Sequence, residues 1–331
     1  MKIVIPMAGY GTRLRPHTWS KPKPLVSVAG KTVLGHVLDM FASLADLEEV
    51  VFIVGYLGDQ IKSFMDETYP EMKATYFVQD EMLGQSHALW LAREALAGPI
   101  YMAFVDTLIE ADLSRPPKAG SQAVAWVKEV EDPRRFGVAE VDADGWVVRM
   151  IEKPKDPEIN LALAGFYFFE RSELLVKAIE QQMTRDTQLG GEYYLVDAIN
   201  IMLEDGLRMS TERVDVWKDC GKPDALLDTN RYLLSHGRDN TGEAQQRTGA
   251  VIVPPVFIHP TAAISESVIG PYASIGPECV IQRSVISDSI LEPGAFIQES
   301  VLSESLVGKG ARLVGAQHKV NLGDLSEVDL G

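Results

Sequence analysis

The sequence predicts a mostly parallel α/β sheet flanked by helices, followed by a short left-handed parallel β-helix. In the first half of the 331-residue chain, β-branched and apolar stretches alternate with stretches of helical spacing. This alternation is typical of strand–helix–strand units. After residue 250, aliphatic residues recur every five or six positions with turn residues between them. Such a repeat is typical of hexapeptide β-helix coils. The length of the chain favours about two domains.

The first half is interpreted as a Rossmann-like alternation of strands and helices. Strands are expected at Lys2–Pro6, Val50–Val54, Ala74–Val78 and Ile100–Val105, and helices at Val33–Leu44, Asp59–Glu67 and Gln85–Leu96. From about residue 122 to residue 169, shorter strands and turns indicate a second half of the same domain. Further helices are expected at Ser172–Met183, Tyr194–Asp205 and Asp224–Ser235.

Residues 236–249 (HGRDNTGEAQQRTG) contain almost nothing that a core could bury. They are predicted to link a domain at 1–235 to a β-helix domain at 250–331. Regularly spaced aliphatic residues, beginning with Ile258, Ile264, Ile269 and Ile275, predict roughly three coils around a narrow core. A sandwich of short strands would instead require alternation at every second residue, which is absent. We expect the β-helix to serve assembly into a homo-oligomer.

Composition excludes several classes of function. The net charge of −16 argues against binding to nucleic acid or to an acidic membrane surface. No apolar run approaches the roughly 18 residues that a membrane span needs, and the first residues (MKIVIPMAGYG) do not form a signal-peptide core. Cys220 and Cys279 are too few for a disulfide framework or a zinc site. The chain is predicted to be cytoplasmic.

A basic, glycine-containing segment follows the first strand. Residues 7–16 are MAGYGTRLRP, KPKP follows at 21–24, and no acidic residue occurs before Asp39. Gly9 and Gly11 allow the backbone to approach a phosphate, whose oxygens the amides of the turn can bind. A charge run on a helix is usually a solvated face, but these residues surround a turn and a proline-rich loop. We therefore predict a small anionic ligand at this loop.

Two other phosphate-binding motifs do not fit this segment. A dinucleotide-binding fingerprint requires a third small residue at the position of Leu14. Residues 30–32 (Gly-Lys-Thr) imitate the end of a P-loop, but Leu25 stands where the first glycine of that motif belongs. What remains is a glycine loop followed by arginines and lysines.

The spaced motifs together resemble the sugar-1-phosphate nucleotidylyltransferase family. Residues 9–25 match its Gly-x-Gly-Thr-Arg-Leu-x-Pro loop and the Lys-Pro-Leu segment that follows. FGVAEVD (136–142), EKP (152–154) and NLALAGFY (160–167) resemble its sugar pocket. The trailing β-helix is similar to that of the long-form glucose-1-phosphate thymidylyltransferases within the family. The resemblance implies Mg²⁺-dependent transfer of a nucleotidyl group from dTTP or UTP to a sugar-1-phosphate, with release of pyrophosphate. Glucose-1-phosphate is the expected sugar substrate.

The resemblance also implies a role for each site residue. Arg13 and Lys23 are the expected catalytic residues, because both reactants are polyanions and their charge must be neutralised. Asp106 and Asp219 are expected to hold Mg²⁺, which prefers carboxylate and phosphate oxygens. The expected nucleotide-binding residues are Ala8, Gly9, Gly11, Thr12, Arg13, Gln79 and Gly84, and the expected sugar-phosphate residues are Gly137, Glu152, Lys153 and Gly165. Lys21 and Arg15 have no role in the family and are interpreted as surface charges.

Gln79 and Gly84 predict a pyrimidine base. A glutamine amide offers both a donor and an acceptor, which suits the edge of uracil or thymine. Gly84 leaves its backbone groups open to the same edge. The family match at the same separation favours this interpretation over a polar strand end and a helix start.

Two other functions remain open at this stage. The β-helix could carry an acyltransferase activity, for which His259 and His318 are the histidines available within it. The chain could also be a non-catalytic regulatory or scaffold subunit, although such chains commonly lose the charged residues that this one keeps. The preferred sugar, the choice between UTP and dTTP, the oligomeric number and end-product regulation are left open by the sequence.

Overall fold

The computed structural model describes residues 1–42, 44, 46–113, 115, 117–155, 158–315 and 317–329, without the side chains of Gln317 and His318. The described residues divide into two compact units. The sheet unit comprises Met1–Tyr10 and Val37–Trp217, and the β-helix unit comprises Gly11–His36 and Lys218–Gly331. The division does not fall at the predicted linker, because residues 11–36 pack with the C-terminal part of the chain.

The predicted strands and helices of the first 235 residues are present. The strands are β1 (Lys2–Pro6), β2 (Ser27–Val28), β3 (Lys31–Thr32), β4 (Glu49–Val54), β5 (Ala74–Val78), β6 (Ile100–Ala103), β7 (Thr107–Ile109), β8 (Ala123–Glu129), β9 (Gly137–Val141), β10 (Val147–Glu152), β11 (Leu161–Phe169), β12 (Met209–Arg213) and β13 (Trp217–Asp219). The helices are α1 (Val33–Met40), α2 (Gly58–Thr68), α3 (Gln85–Leu91), α4 (Ser172–Thr184), α5 (Leu195–Glu204), α6 (Pro223–Ser235) and α7 (Thr241–Ala244). The first and third helices end earlier than predicted, at Met40 and Leu91. In the described ranges no helix is both long and apolar enough to cross a membrane.

The sheet unit is built around a sheet that, within the described residues, has nine strands. Its order is β10-β9-β11-β6-β1-β4-β5, with β8 beside β11 and β12 beside β8. Strands β1, β4, β5 and β6 are parallel, and β11 is antiparallel to β6 and β8. Leu89, Leu175 and Ile199 of α3, α4 and α5 are completely buried in the core of this unit. The central parallel strands end together at the edge where open α/β sheets bind ligands.

The β-helix is formed by short strands that stack in parallel register. They are β14 (Ala250–Ile252), β15 (Val256–Ile258), β16 (Ala263–Ser265), β17 (Ser267–Ile269), β18 (Ala273–Ile275), β19 (Val280–Gln282), β20 (Val285–Ile286), β21 (Ser289–Leu291), β22 (Phe296–Gln298), β23 (Val301–Leu302), β24 (Ser305–Val307), β25 (Arg312–Val314), β26 (Gln317–His318), β27 (Asn321–Leu322) and β28 (Glu327–Asp329). Over the described residues they form three sheets of five strands.

The predicted left-handed β-helix is confirmed, with its repeating aliphatic residues buried in one core. Ile258, Ile275, Leu291 and Val307 stand at equivalent positions of successive coils. The described strands make five coils rather than the predicted three. The repeat weakens at the C-terminal end, where His318 is the register partner of Leu302, so the last coil was missed in the sequence.

The segment at 236–249 is part of the β-helix unit and does contribute to its core. It carries α7, and Ala244 is almost fully buried among the first aliphatic residues of the β-helix. The Arg247 guanidinium donates hydrogen bonds to the carbonyl oxygens of His259, Pro260 and Ala262. The segment therefore covers the first coil, and Ala244 is its one buried side chain, in keeping with the expectation that it buries almost nothing.

Candidate active site

The predicted site residues are divided between the two compact units. The sheet unit contains Ala8, Gly9, Gln79, Gly84, Asp106, Gly137, Glu152, Lys153 and Gly165, and the β-helix unit contains Gly11, Thr12, Arg13, Lys23 and Asp219. This division cuts the glycine loop itself, since Tyr10 is the last residue of its stretch in the sheet unit and Gly11 begins the next stretch.

In the sheet unit, the start of the glycine loop packs against a second glycine. The amide of Met7 donates to the carbonyl oxygen of Ile53, which extends the pairing of β1 with β4. A Cβ at Gly55 would lie 2.5 Å from the carbonyl oxygen of Ala8, so the two backbones touch. Gly55 was not singled out in the sequence, although a glycine directly after a buried strand is a signal of such close approach.

In the β-helix unit, the loop folds back so that Lys23 lies beside Gly11. Gly11 has a φ of 61°, and a Cβ on it would lie 3.0 Å from Cβ of Lys23. The hydroxyl of Thr18 donates to the carbonyl oxygen of Gly11 at 2.9 Å. Both the left-handed backbone and the close approach therefore require a glycine at this position.

Arg13 and Asp219 meet at another glycine of the β-helix unit. A Cβ at Gly221 would lie 2.7 Å from Oδ1 of Asp219 and 3.0 Å from Nη2 of Arg13. The amide of Gly221 donates to Oδ1 of Asp219 at 2.6 Å, and the hydroxyl of Thr229 donates to the carbonyl oxygen of Asp219. The fold thus brings the predicted catalytic arginine to one predicted metal carboxylate, although the two are far apart in sequence.

The predicted base-binding pair forms a small hydrogen-bonded group in the sheet unit. Gln79 is buried, and its Nε2 donates to the carbonyl oxygen of Gly84 at 3.1 Å and to Nδ1 of His87 at 3.2 Å. Burial lowers the pKa of the His87 imidazole, which favours the neutral ring that can accept this bond. Because both contacts use Nε2, the Oε1 atom of Gln79 is oriented by His87 and Gly84 together.

Gly84 adopts a backbone conformation that other residues rarely reach. Its φ is 97°, and a Cβ on it would lie 2.5 Å from the carbonyl oxygen of Tyr193. The amide of Tyr193 in turn donates to the carbonyl oxygen of Leu83. The start of α3 is therefore held tightly against the segment before α5, and this contact fixes the position of Gly84.

The predicted sugar-phosphate residues meet across the β9–β10 ladder. Gly137 and Glu152 are register partners, and a Cβ at Gly137 would lie 3.1 Å from Oε2 of Glu152. Nζ of Lys153 is 3.6 Å from Oε1 of Glu152 and donates a long hydrogen bond to Oη of Tyr194. Tyr194 was assigned to a helix start by the sequence and was not predicted to join this group.

Burial dominates the electrostatics of the sugar-phosphate group. It raises the pKa of the Glu152 carboxyl; Lys153 opposes this effect, while Asp197 and Glu192 add to it. Burial acts to lower the pKa of Lys153, but the hydrogen bond to Tyr194 and the charge of Glu152 outweigh it and raise that pKa. The pair therefore combines a partly buried acceptor with a half-exposed cation, which suits a ligand with hydroxyl groups and a phosphate.

Gly165 supports the turn that carries Asp106. The carbonyl oxygen of Gly165 accepts the amide of Phe104, and the hydroxyl of Thr107 donates to the carbonyl oxygen of Ala164. A Cβ at Gly165, whose φ is 80°, would lie 2.9 Å from the Phe104 ring. Strand β6 ends at Ala103, so Asp106 stands in the turn before β7 rather than at the predicted strand end.

Each of the two predicted metal ligands is of the type that a hard divalent cation prefers. Both are carboxylates, and one oxygen of Asp219 is oriented by the Gly221 amide. Among the described residues, no group of three or more His, Cys, Asp or Glu side chains gathers into a metal site. Mg²⁺ usually takes only one or two carboxylates and completes its shell with phosphate oxygens and water.

The chain is similar in sequence to known nucleotidyl transferases. A family model described as nucleotidyl transferase matches residues 2–236. A glucose-1-phosphate thymidylyltransferase from Streptomyces antibioticus is 32% identical, over 100% of this chain and 99% of the relative. A UTP–glucose-1-phosphate uridylyltransferase, AglF, from Haloferax volcanii is 32% identical over 68% of this chain and 93% of its own. The crystal structure of a UDP-glucose pyrophosphorylase complexed with UDP-glucose superposes with a TM-score of 0.61. The superposition covers 71% of this chain and 98% of the pyrophosphorylase chain. Because the sequence identity is 21%, it shows similarity of fold alone.

Proposed function

Because the chain belongs to the nucleotidyl transferase family, we propose that it transfers the nucleotidyl group of dTTP or UTP to glucose-1-phosphate. The products are a nucleotide-sugar and pyrophosphate. The observation that carries this proposal is the meeting of Arg13 and Asp219 at Gly221, with Lys23 on the same loop beside Gly11. Two cations and a carboxylate on glycine-rich backbone are the groups that a triphosphate and its metal require.

In the proposed reaction, a phosphate oxygen of the sugar-1-phosphate attacks the α-phosphorus of the nucleotide. The new phosphorus–oxygen bond forms as the bond to the β-phosphate breaks, and pyrophosphate leaves with that electron pair. No protein nucleophile is needed. Catalysis then depends on alignment of the two reactants and on neutralisation of their negative charge.

The chain supplies that neutralisation from the loop at 11–23. Arg13 would bind the β- and γ-phosphates and stabilise the charge on departing pyrophosphate, because its guanidinium can contact two oxygens at once. Lys23 would neutralise the reacting phosphates. Asp106 and Asp219 would hold Mg²⁺, which when bound neutralises phosphate oxygens.

The sheet unit would bind the parts of the substrates that do not react. The Oε1 of Gln79, oriented through Nε2, would accept the N3–H of uracil or thymine, and Gly84 would offer its amide to a base carbonyl. Glu152 would accept hydrogen bonds from sugar hydroxyls, and Lys153 would pair with the sugar phosphate. The exclusion of purines follows from the cost of an unpaired buried amide, about 1–3 kcal/mol.

Two alternative functions receive no support from the described residues. Nδ1 of His259 is bonded to Thr261 on the surface of the first coils, and the His318 side chain lies outside the described residues. No acyltransferase site is therefore proposed. A scaffold subunit would not need the close arrangement of Arg13, Lys23 and Asp219.

The test is pyrophosphate release by the purified chain with dTTP, UTP, ATP and GTP, each combined with glucose-1-phosphate and N-acetylglucosamine-1-phosphate. We expect dTTP and UTP to exceed ATP and GTP by tenfold or more in kcat/KM. Arg13→Met should abolish release, whereas Arg15→Met, which changes an exposed arginine of the same loop, should retain it. If the wild-type chain releases no pyrophosphate with any of these substrate pairs, the proposal is wrong. A preference for ATP or GTP would remove only the base assignment.

A further inference from the structure

The loop that carries Lys23 lies along one side of the β-helix. Five contacts, which join successive coils to residues 16–30, are made within the β-helix unit. Gly30 touches the Phe257 ring, Ala29 and Ser274 share Asn230, Ser27 and Lys21 bind Glu292, His17 binds Asn321, and Pro16 touches Gly323. The β-helix is therefore in contact with the whole length of this segment, beyond any role in assembly.

Among these contacts, Glu292 alone accounts for three polar interactions with the segment. It is only 4% exposed, and its carboxylate accepts three bonds, all from the loop. Nζ of Lys21 lies 2.8 Å from Oε2, the amide of Ser27 donates to Oε1 at 2.8 Å, and the Ser27 hydroxyl donates to Oε2 at 3.2 Å. A buried carboxylate requires such partners, because leaving it unpaired in a low-dielectric site is costly.

Lys21 is consequently not the surface charge that the sequence suggested. Its side chain is 11% exposed, and that of Glu292 is 5% exposed. The sequence could not reveal this, because the carboxylate that pairs with Lys21 comes from the third coil of the β-helix. Arg15, in contrast, is exposed as expected.

The two residues that Glu292 holds lie on either side of Lys23. Lys23–Leu25 form a 3₁₀ turn between them, and the backbone of that turn has few ways to move while both ends are bound. Lys23 is also the residue whose Cβ approaches Gly11. Displacement of Lys21 or Ser27 would therefore move Lys23, the lysine proposed to neutralise the reacting phosphates.

A second contact ties the loop to the helix that follows Asp219. Oδ1 of Asn230 in α6 accepts the amide of Ala29 at 2.9 Å and the hydroxyl of Ser274 at 2.7 Å. Nδ2 of Asn230 donates to the carbonyl oxygen of Tyr272. The loop, α6 and the β-helix thus form one hydrogen-bonded body around a fully buried amide.

We propose that Glu292 of the β-helix is a positioning residue for nucleotidyl transfer, which holds the Lys21–Ser27 segment so that Lys23 faces the triphosphate. The inference rests on the proposed function. It assigns the β-helix a part in catalysis, exerted through the loop rather than through direct contact with substrate.

The experiment compares Glu292→Gln, Lys21→Met and the double variant with wild type. Each single change leaves one partner unmatched, so both should raise KM for dTTP by tenfold or more and lower kcat. KM for glucose-1-phosphate should stay within about twofold. The double variant leaves no unpaired charge, so its effect should be smaller than the product of the two single effects. Glu299→Gln is the matched control, since Glu299 forms an exposed ion pair with Arg283 on the same β-helix.

A purely structural role would give a different pattern. Lower thermal stability with unchanged KM for dTTP would overturn the proposal, and so would multiplicative effects in the double variant. If Glu292→Gln does not fold, Glu292→Asp keeps the charge with a shorter reach and should give an intermediate KM. Wild-type values in the Glu292→Asp variant would also overturn it.

Amide hydrogen exchange separates this inference from the proposed function. Exchange of residues 21–30 should be faster in Glu292→Gln than in wild type and unchanged in Glu299→Gln, with no substrate present. If wild type lacks transferase activity while the loop is still protected by Glu292, the proposed function fails and the anchoring stands. Equal protection in wild type and Glu292→Gln removes the anchoring, whatever the activity.

Discussion

The two compact units hold their site residues in different ways. In the sheet unit, Gly137 and Glu152 are opposed by the register of two neighbouring strands, and Gln79 binds a glycine five residues away. In the β-helix unit, Ser27 is held by a side chain 265 positions later in the sequence. Contacts between residues close in the sequence set the first arrangement, and side-chain contacts between residues far apart in the sequence set the second. Substitution of one such side chain should therefore disturb the β-helix unit more than a comparable change in the sheet unit.

The largest expected effect concerns the two predicted metal ligands, one of which lies in each unit. Asp106→Asn in the sheet unit and Asp219→Asn in the β-helix unit should each lower kcat by on the order of a thousandfold or more, because metal neutralisation supplies several kcal/mol. The measurement is pyrophosphate release across a Mg²⁺ titration. Asp66→Asn, at an exposed site on α2, is the control. Near-normal activity in both site variants would remove the metal assignment.

The fold of the sheet unit could be predicted because its signals are local. Alternating strands and helices are encoded by hydrophobic spacing within each stretch, and β1 and β5 have the ends that were predicted. The repeat of the β-helix is equally local. The structure thus confirms the fold class from patterns that each span fewer than about 20 residues.

The division of the chain could not be predicted by the same means. Residues 11–36 follow a sheet strand in the sequence but pack with the β-helix, through contacts such as Asn230 with Ala29. A polar residue in a helix and a carboxylate in a turn carry no local sign of their distant partners. For the same reason Tyr194 and Glu292 were missed, although each contacts a predicted site residue or its neighbour.

The second prediction concerns the sugar side of the sheet unit. Lys153→Met should lower kcat/KM for glucose-1-phosphate by about 10- to 100-fold, since a hydrogen bond to a charged group contributes about 1.5–3 kcal/mol. KM for dTTP should change little. Steady-state kinetics with each substrate varied in turn gives the answer, and Lys155→Met, at an exposed lysine two residues away, is the control. An effect confined to dTTP would contradict the assignment of Lys153.

The third prediction separates stability from binding at Glu152. Because burial raises its pKa, the folded state binds more protons than the unfolded state, so stability is lost as pH rises through the folded pKa. Glu152→Gln should therefore raise the urea midpoint at neutral pH, and this gain should vanish below about pH 4, where both states are protonated. The same variant should raise KM for glucose-1-phosphate by about tenfold. A lower midpoint at neutral pH would show that Lys153 outweighs the cost of burial.

The smallest expected effect is a pH dependence of the free energy of unfolding that comes from His17, in the segment 16–30 that contacts the β-helix. Burial lowers the pKa of His17; its hydrogen bond to Asn321 and the charges of Glu292 and Asp324 oppose this effect, and Lys21 adds to it. The folded state therefore binds fewer protons than the unfolded state, and the free energy of unfolding falls as pH drops below the ordinary value of 6.5.

His17→Gln removes this titration and keeps a donor for Asn321. Urea midpoints at about pH 7.5 and about pH 5.5 should differ less in His17→Gln than in wild type, whereas His236→Gln, at an exposed histidine, should behave as wild type. Because carboxylates elsewhere also respond to acid, the difference between variants is the informative quantity. Equal losses in all three proteins would mean that His17 adds nothing to the pH dependence. The contrast between the two units would then rest on the contacts of Glu292 and Asn230 with the segment 16–30.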